Sequence, residues 1–479
     1  MNKESALNYI RILLVSLFIA FLGLGPHSYT AGKILVSAYQ SIISGDLLVA
    51  SQSLAEAGEF FPWRYDLNLN AGKLAFEAGD PRSAIQFLER PGTISHLTTD
   101  ETIMLGDAYN QRGDDLIAEA IWKRVVEMDD SSPVNERLAN LYLQRKDYGT
   151  AVDYLLKLLF LNPSDISLYY QIGSLYAATD PLKALPFLIQ SAEVDPTNAT
   201  QAKELHDKIK TANLFDEPAY TFLISGRQLA NSGNWELAAE AFRQATVLKP
   251  GYAEAWALLG QSLQEISTKE SGAEPDDGYP ELAHALQLDP NSILANSLMG
   301  LYWERKQEYS QAQIYLEYAI AANPNDPYMY SALGNILAKA GNLPDAQSAY
   351  EVAIQHAPED PRFYRLLAEF AMQNHIQIRE IALPAARQAV TLDAGDASSL
   401  DVMAQVMLML QDYYSAERFA LNALQADPGY TQAYRHLGMA YIFLGETELA
   451  KQWLNQVSSI NPDSWEASQA ERMLEYYFP

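Results

Sequence analysis

The sequence predicts an all-α solenoid of about twelve repeated units stacked in line and closed by one further helix at the C-terminus. Three observations lead there. Glycine, alanine and proline recur at fixed positions along most of the chain. The apolar residues between them return at the three- and four-residue spacing of a helix that buries one face. Cysteine is absent, which rules out disulfides and thiolate-held metal sites and leaves helix packing to hold the chain together. The balance of 60 acidic against 33 basic residues, a formal charge of −27, excludes nucleic acid as a partner, because phosphate binding requires a basic face. With 48% hydrophobic residues the chain is too apolar to remain unfolded.

The repeat is clearest from Pro327. Counting that residue as one, Tyr330, Leu333, Gly334 and Leu337 stand at four, seven, eight and eleven. Gly341, Ala346, Tyr350, Ala353 and Pro358 follow at fifteen, twenty, twenty-four, twenty-seven and thirty-two. From Thr431 the order returns as Tyr434, Leu437, Gly438, Tyr441, Gly445, Ala450, Leu454, Val457 and Pro462. Small residues at eight and twenty permit close approach of two helices, and the apolar positions fill the seam between them. Glycine at fifteen ends a helix in a left-handed turn, and proline at thirty-two stops the next.

This pattern resembles the tetratricopeptide repeat family, whose unit of about 34 residues is a pair of antiparallel helices. The resemblance implies a right-handed α-solenoid of about twelve helix pairs with a C-terminal capping helix. It extends through Gly300, Ala312 and Pro324, through Gly226, Ala238, Phe242 and Pro250, and back to Ala38, Gly45 and Leu54. Residues 31–196 are expected to form an N-terminal array and 219–464 a C-terminal one. Between them, 197–218 lacks the signature; Ala202, Leu205 and Ile209 predict one helix followed by a loop. Insertions interrupt the pattern around Thr268–Gly278 and near His375–Arg379, and residues 465–479 are the expected cap. A terminal unit needs such a cap because it cannot bury its own outer face.

Residues 1–30 carry a different signal. Lys3 and Arg11 precede an apolar run from Ile12 to Leu24, interrupted by Ser16 and Gly23. That length suits a signal-peptide core; extension back to Leu7 makes an adequate membrane span that includes Arg11. An uncleaved single-pass anchor is the first expectation and a cleaved export signal the second. Both place the body outside the cytoplasm, since the positive charges precede the run and only Lys33 follows closely.

Motifs for chemistry are missing. The histidines are scattered, with no HExxH spacing, phosphate loop or nucleophile elbow, so neither catalysis, a metal nor a cofactor is expected. What the resemblance implies instead is recognition of a protein or peptide in the concave groove lined by first helices. Position nine of those helices reads Lys73, Asp107, Asn140, Ser174, Arg227, Gln261, Leu301, Asn335, Glu369, Gln405 and Met439, which does not reproduce the family's carboxylate clamp. The C-terminal groove positions do include Arg362, Arg365, Arg435 and His436, with Lys339 nearby. Two readings stand for these five: solvated residues paired with carboxylates of the chain, or a pocket for an acidic partner segment. A glycan-binding module is the alternative function, with Tyr170, Tyr220 and Tyr328 as its candidate platforms.

Overall fold

The computed structural model describes residues 29–128, 132–269 and 278–478. The expected signal or anchor and most of the acidic insertion lie outside the described residues. Among those described there is no strand, and no helix is long and apolar enough to cross a membrane.

The chain divides into two compact bodies, with the break between Thr211 and Ala212. The first begins with a helix over residues 29–44, α1, paired with α2 (Leu47–Phe60). The pairs α3 (Tyr65–Glu77) and α4 (Pro81–Leu88), then α5 (Thr99–Arg112) and α6 (Asp115–Met128), follow. α7 (Ser132–Gln144) pairs with α8 (Tyr148–Leu161), and α9 (Ser167–Thr179) with α10 (Pro181–Val194). A lone helix, α11 (Ala199–Ala212), buries Ala202, Leu205 and Ile209.

The second body contains α12 (Pro218–Asn231) with α13 (Trp235–Leu248), α14 (Ala253–Lys269) with α15 (Tyr279–Leu288), and α16 (Ile293–Arg305) with α17 (Tyr309–Ala322). It continues with α18 (Pro327–Lys339) and α19 (Leu343–His356), α20 (Pro361–Gln373) and α21 (Leu383–Leu392), and α22 (Ala397–Met409) and α23 (Tyr413–Ala426). The last pair, α24 (Thr431–Leu444) and α25 (Thr447–Ile460), is covered by α26 (Trp465–Tyr477), whose Ala467 and Ala470 are buried against it. The short insertion after α20 is a π-helical turn, Ile378–Ala382, that buries Ile381 and Ala382. The core of this body is a series of successive clusters strung along the repeats, as expected where each repeat packs only on its neighbours.

Local chemistry starts and stops these helices. Asp326 and Asp360 cap α18 and α20, each carboxylate accepting a backbone N–H two residues on, and proline follows directly at the first helical position. Both devices suit a helix start, where the first N–H groups have no partner inside the helix. Position fifteen is left-handed throughout the described repeats where it is marked by glycine, as at Gly341 with φ 81° and Gly445 with φ 82°. The backbone keeps that conformation at four positions without glycine, Lys146, Gln307, His375 and Gln411, with φ between 54° and 62°, whereas Asp180 at the equivalent place has φ −154°. A side chain there costs roughly 1–2 kcal/mol, partly offset by the greater chain entropy of glycine when unfolded. Gln411→Gly is therefore expected to raise the urea midpoint modestly. A lower midpoint would mean that the Gln411 side chain holds the turn.

The seam inside each pair is closer than small residues at eight and twenty alone require. A Cβ added at Gly226 would stand 2.7 Å from Cε1 of Phe242; at Gly334, 2.9 Å from Cε2 of Tyr350; at Gly438, 2.6 Å from Cγ of Leu454. The large residue at twenty-four thus lies in the notch that the glycine at eight leaves. Ala238, Ala346 and Ala450 at position twenty are fully buried beside it.

Candidate functional site

In the second body, successive first helices touch one another (α18 on α20, α20 on α22, α22 on α24), whereas contacts between successive second helices are sparser. The first helices are therefore the inner wall of this body. Along that wall, polar side chains are paired from one first helix to the next. Glu304 of α16 accepts from Asn335 Nδ2 at 3.0 Å and Lys339 Nζ at 2.6 Å, both on α18. Arg365 of α20 donates to Asp396, the cap of α22, and to Ser399 Oγ at 3.3 Å. Asp401 of α22 and His436 Nδ1 of α24 are hydrogen-bonded at 2.6 Å. Gln432 of α24 reaches Glu466 of α26 at 3.4 Å. The first body repeats the arrangement, with Lys73 to Glu101 at 2.6 Å and Arg137 to Asp107 at 2.7 Å.

Each of the five basic residues singled out from the sequence has a place in this wall, and of the five only Arg362 and Arg365 line one cleft together. Lys339 is tied to Glu304. Arg362 turns toward its own cap, Asp360, at 2.6 Å, and its guanidinium lies over the Tyr328 ring, 5.1 Å from the centroid. Its hydrogen bond holds the Asp360 carboxyl below the usual carboxylate range. Arg365 points the other way, to Asp396; burial opposes ionisation of that carboxyl, but Ser399 and Arg365 outweigh it and keep its pKa low. Arg435 is half-buried over Trp465, 5.4 Å from the ring centroid, and its Nε has no hydrogen-bond partner among the described residues. Burial lowers its pKa against the opposing pull of Asp401 and Glu466. His436 is 4% exposed and enclosed with Asp401, so it does not offer its ring to a ligand.

Two of the clefts on the second body are lined by residues of this set. One of about 760 Å³ is lined by Arg362 and Arg365 together with Glu359, Asp360, Asp393 and Asp396. Two guanidiniums among four carboxylates make its lining net negative. The other, about 530 Å³, lies between α18 and α20, with Ser331, Asn335, Lys339, Tyr350, Leu366, Glu369, Phe370 and Gln373 on its walls. Here the ladder is interrupted. Glu369 is half-buried, and no ion pair or hydrogen bond to it exists among the described residues. Burial pushes its pKa up and Asp401 adds to the shift, with only Arg365 opposing. Tyr350, buried on the same cleft, is pushed up to about 12 by burial and by the carboxylates of Glu369 and Glu304.

The aromatic candidates are occupied within the chain. Tyr328 is covered by Arg362 and meets Phe363 edge-on, Tyr220 packs edge-on against Phe215, and the Tyr170 hydroxyl donates to Gln201. Among the described residues no group of three or more His, Asp or Glu is disposed to hold a metal ion.

Sequence reasoning named the basic members of the wall and passed over Glu304, Asp396 and Asp401. A signal for them existed: the paired residues are 35, 31 and 35 positions apart, close to one repeat. Opposite charges at that separation on first helices mark the rungs.

A tetratricopeptide-repeat family model matches residues 305–370 and 407–472, and a second tetratricopeptide model matches 225–265. Tetratricopeptide arrays typically act as non-catalytic protein-interaction scaffolds. No curated protein matches the sequence. Among solved structures, the chain is similar to yeast Tom70, with 14% identity over 94% of this chain and 96% of that one and a TM-score of 0.45. It is similar to the APC/C hetero-tetramer Cut9–Hcn1, with 14% identity over 96% of this chain and 92% of that chain and a TM-score of 0.38. PilF of Pseudomonas aeruginosa is 17% identical over 46% of this chain and 97% of its own, with a TM-score of 0.35.

Proposed function

We propose that this protein is a non-catalytic scaffold that holds a segment of a protein partner against the first-helix wall of its C-terminal body, which an N-terminal anchor keeps at a membrane, outside the cytoplasm. One observation carries the groove reading: between α18 and α20, beyond the contact of Arg362 with Tyr328, a cleft of about 530 Å³ combines apolar surface with polar groups that include the unpaired Glu369. Mixed lining of that kind suits a peptide, whose backbone needs hydrogen-bond partners while its side chains need apolar cover. An acidic partner is the less favoured form of this reading. Lys339, Arg362, Arg365 and His436 already face carboxylates of the chain, and an acidic ligand would have to displace them.

Support for the anchor comes from the sequence alone: Lys3 and Arg11 followed by the apolar run Ile12–Leu24. The full chain is expected to stay with membranes through carbonate extraction, and a native N-terminus at Lys33 would replace the anchor by a cleaved export signal.

Site-specific photo-cross-linking tests the groove. A photoreactive residue at Ser331 or Gln373, both on the cleft, is expected to trap the partner in cells, while one at Gln347 of α19, away from the cleft, is not. Cross-links from Gln347 alone would move the binding face to the second helices.

A further inference from the structure

The cleft between α18 and α20 has a charge preference opposite to the one its neighbouring arginines suggest. We propose that it takes the cationic side chain, lysine or arginine, of a partner segment, with Glu369 as counter-ion and the Asn335 and Gln373 amides beside it. This deepens the groove reading above and rests on it.

Four arguments meet at this position. The first is the interrupted ladder. Carboxylates on the neighbouring first helices have a donor from the adjacent helix: Glu304 has Lys339 and Asn335, Asp396 has Arg365, and Asp401 has His436. Glu369 sits between these rungs without a donor, on the wall of a cleft large enough for one long side chain.

Second, the charges that face Glu369 do not neutralise it. Lys339 on α18 is spent on Glu304, and Arg365, one turn away on α20, on Asp396. From α22, Asp401 adds negative charge; Tyr350 of α19 and Tyr430 before α24 are neutral phenols with raised pKa values. The count is Glu304, Glu369, Asp396 and Asp401 against Lys339, Arg365 and Arg435, the last of these shared with Glu466, with His436 a further ionisable partner of Asp401.

Third, the shape suits an amphipathic cation. Lysine and arginine carry an apolar stem that gains from burial while the charged head finds a partner. Leu366, Phe370 and the Tyr350 ring provide the apolar wall, and the carboxylate lies among amides, where the head would sit. Arginine fits best, because its planar fork can engage a carboxylate and an amide oxygen together.

Finally, the carboxylate works against the fold. Burial raises its pKa in the folded chain, so the unfolded chain ionises it first. Stability linked to Glu369 is therefore fully kept at pH below its unfolded value and lost as pH rises through the raised folded value. A residue that costs stability in the free protein is expected where a ligand compensates. At long range the −27 charge of the chain attracts cations and repels anions.

The test uses the full chain in detergent with methyl-labelled alanine and leucine. Three capped pentapeptides, four alanines around a central arginine, methionine or glutamate, are titrated while the methyls of Ala332, Ala338 and Leu366 on the cleft are followed by NMR. The arginine peptide is expected to move them at concentrations on the order of tenfold lower than the methionine peptide, and the glutamate peptide not to move them. Glu369→Gln should erase the arginine preference while melting at or above the wild-type temperature, whereas Glu475→Gln, on the exposed end of α26, should change neither. The inference is overturned if Glu369→Gln binds the arginine peptide as tightly as wild type, or if millimolar arginine peptide leaves the three methyls unmoved. It is also overturned if the glutamate peptide binds as well as the arginine one, an outcome that would leave the groove reading intact. Failure of the groove reading itself would appear separately, as partner cross-links confined to Gln347.

Discussion

Phe242→Ala is expected to cost about 3–5 kcal/mol of stability, the largest single-residue effect in the C-terminal body. The ring is 1% exposed and fills the notch at Gly226, where an added Cβ would stand 2.7 Å from its Cε1. Removing it opens a cavity between α12 and α13 that the two helices cannot collapse without losing their partners on either side. Gly226→Ala attacks the same contact from the other helix, forcing the ring out of place at a cost of about 1–3 kcal/mol. Because the two changes relieve each other, Phe242→Ala combined with Gly226→Ala should cost less than the sum of the separate losses. Repeat arrays can unfold in parts, so the readout is amide exchange in α12 and α13 alongside a urea transition of the whole chain. Additive losses would mean that the two residues do not share the seam.

Asp401→Ala is also expected to be damaging, on the order of 1–3 kcal/mol, for a different reason. Asp401 is fully buried and joins α22 to α24 through His436, itself 4% exposed. Deleting the carboxylate leaves the imidazole N–H without an acceptor in a place that water does not reach. Asp401→Asn keeps an oxygen in reach of Nδ1 and should be clearly milder, which separates the lost partner from lost packing. Since the pair is enclosed, added salt should leave the ranking unchanged, in contrast to the exposed Lys339–Glu304 contact. A urea transition of Asp401→Ala that overlays wild type would show that the pair adds nothing to the interface.

Much of the architecture was legible because it rests on short-range chemistry. Asp326 and Asp360 before proline, and glycine at Gly341 and Gly445, act within a turn of themselves, and the helices begin and end at them. The period of the apolar residues does the same for the seam. Gln411 and Gln307 were harder to read: their backbone is left-handed because the flanking helices require it, not because the residue prefers it.

The basic residues of the groove were legible as residues, but their partners within the chain were not. Arg362 and Arg365 are three apart on one helix, a spacing that places them on a common face. Yet one turns to its own cap and the Tyr328 ring while the other spans to Asp396. Which neighbour each finds depends on the rotation from one repeat to the next. Glu369 was visible in the row of position-nine residues and carried no mark there.

By itself the sequence determined the repeat, the helix pairs and their ends, since these follow from interactions within about 34 residues that any chain with this periodicity must make. Only the tertiary structure decided which charges are spent and which is left over. Asp401 and His436 are 35 residues apart, and whether they meet depends on distances across stacked repeats, to which a periodic sequence is nearly blind. The same stacking that pairs them leaves Glu369 alone in its cleft. A carboxylate without a partner is a property of three-dimensional surroundings, not of the residue.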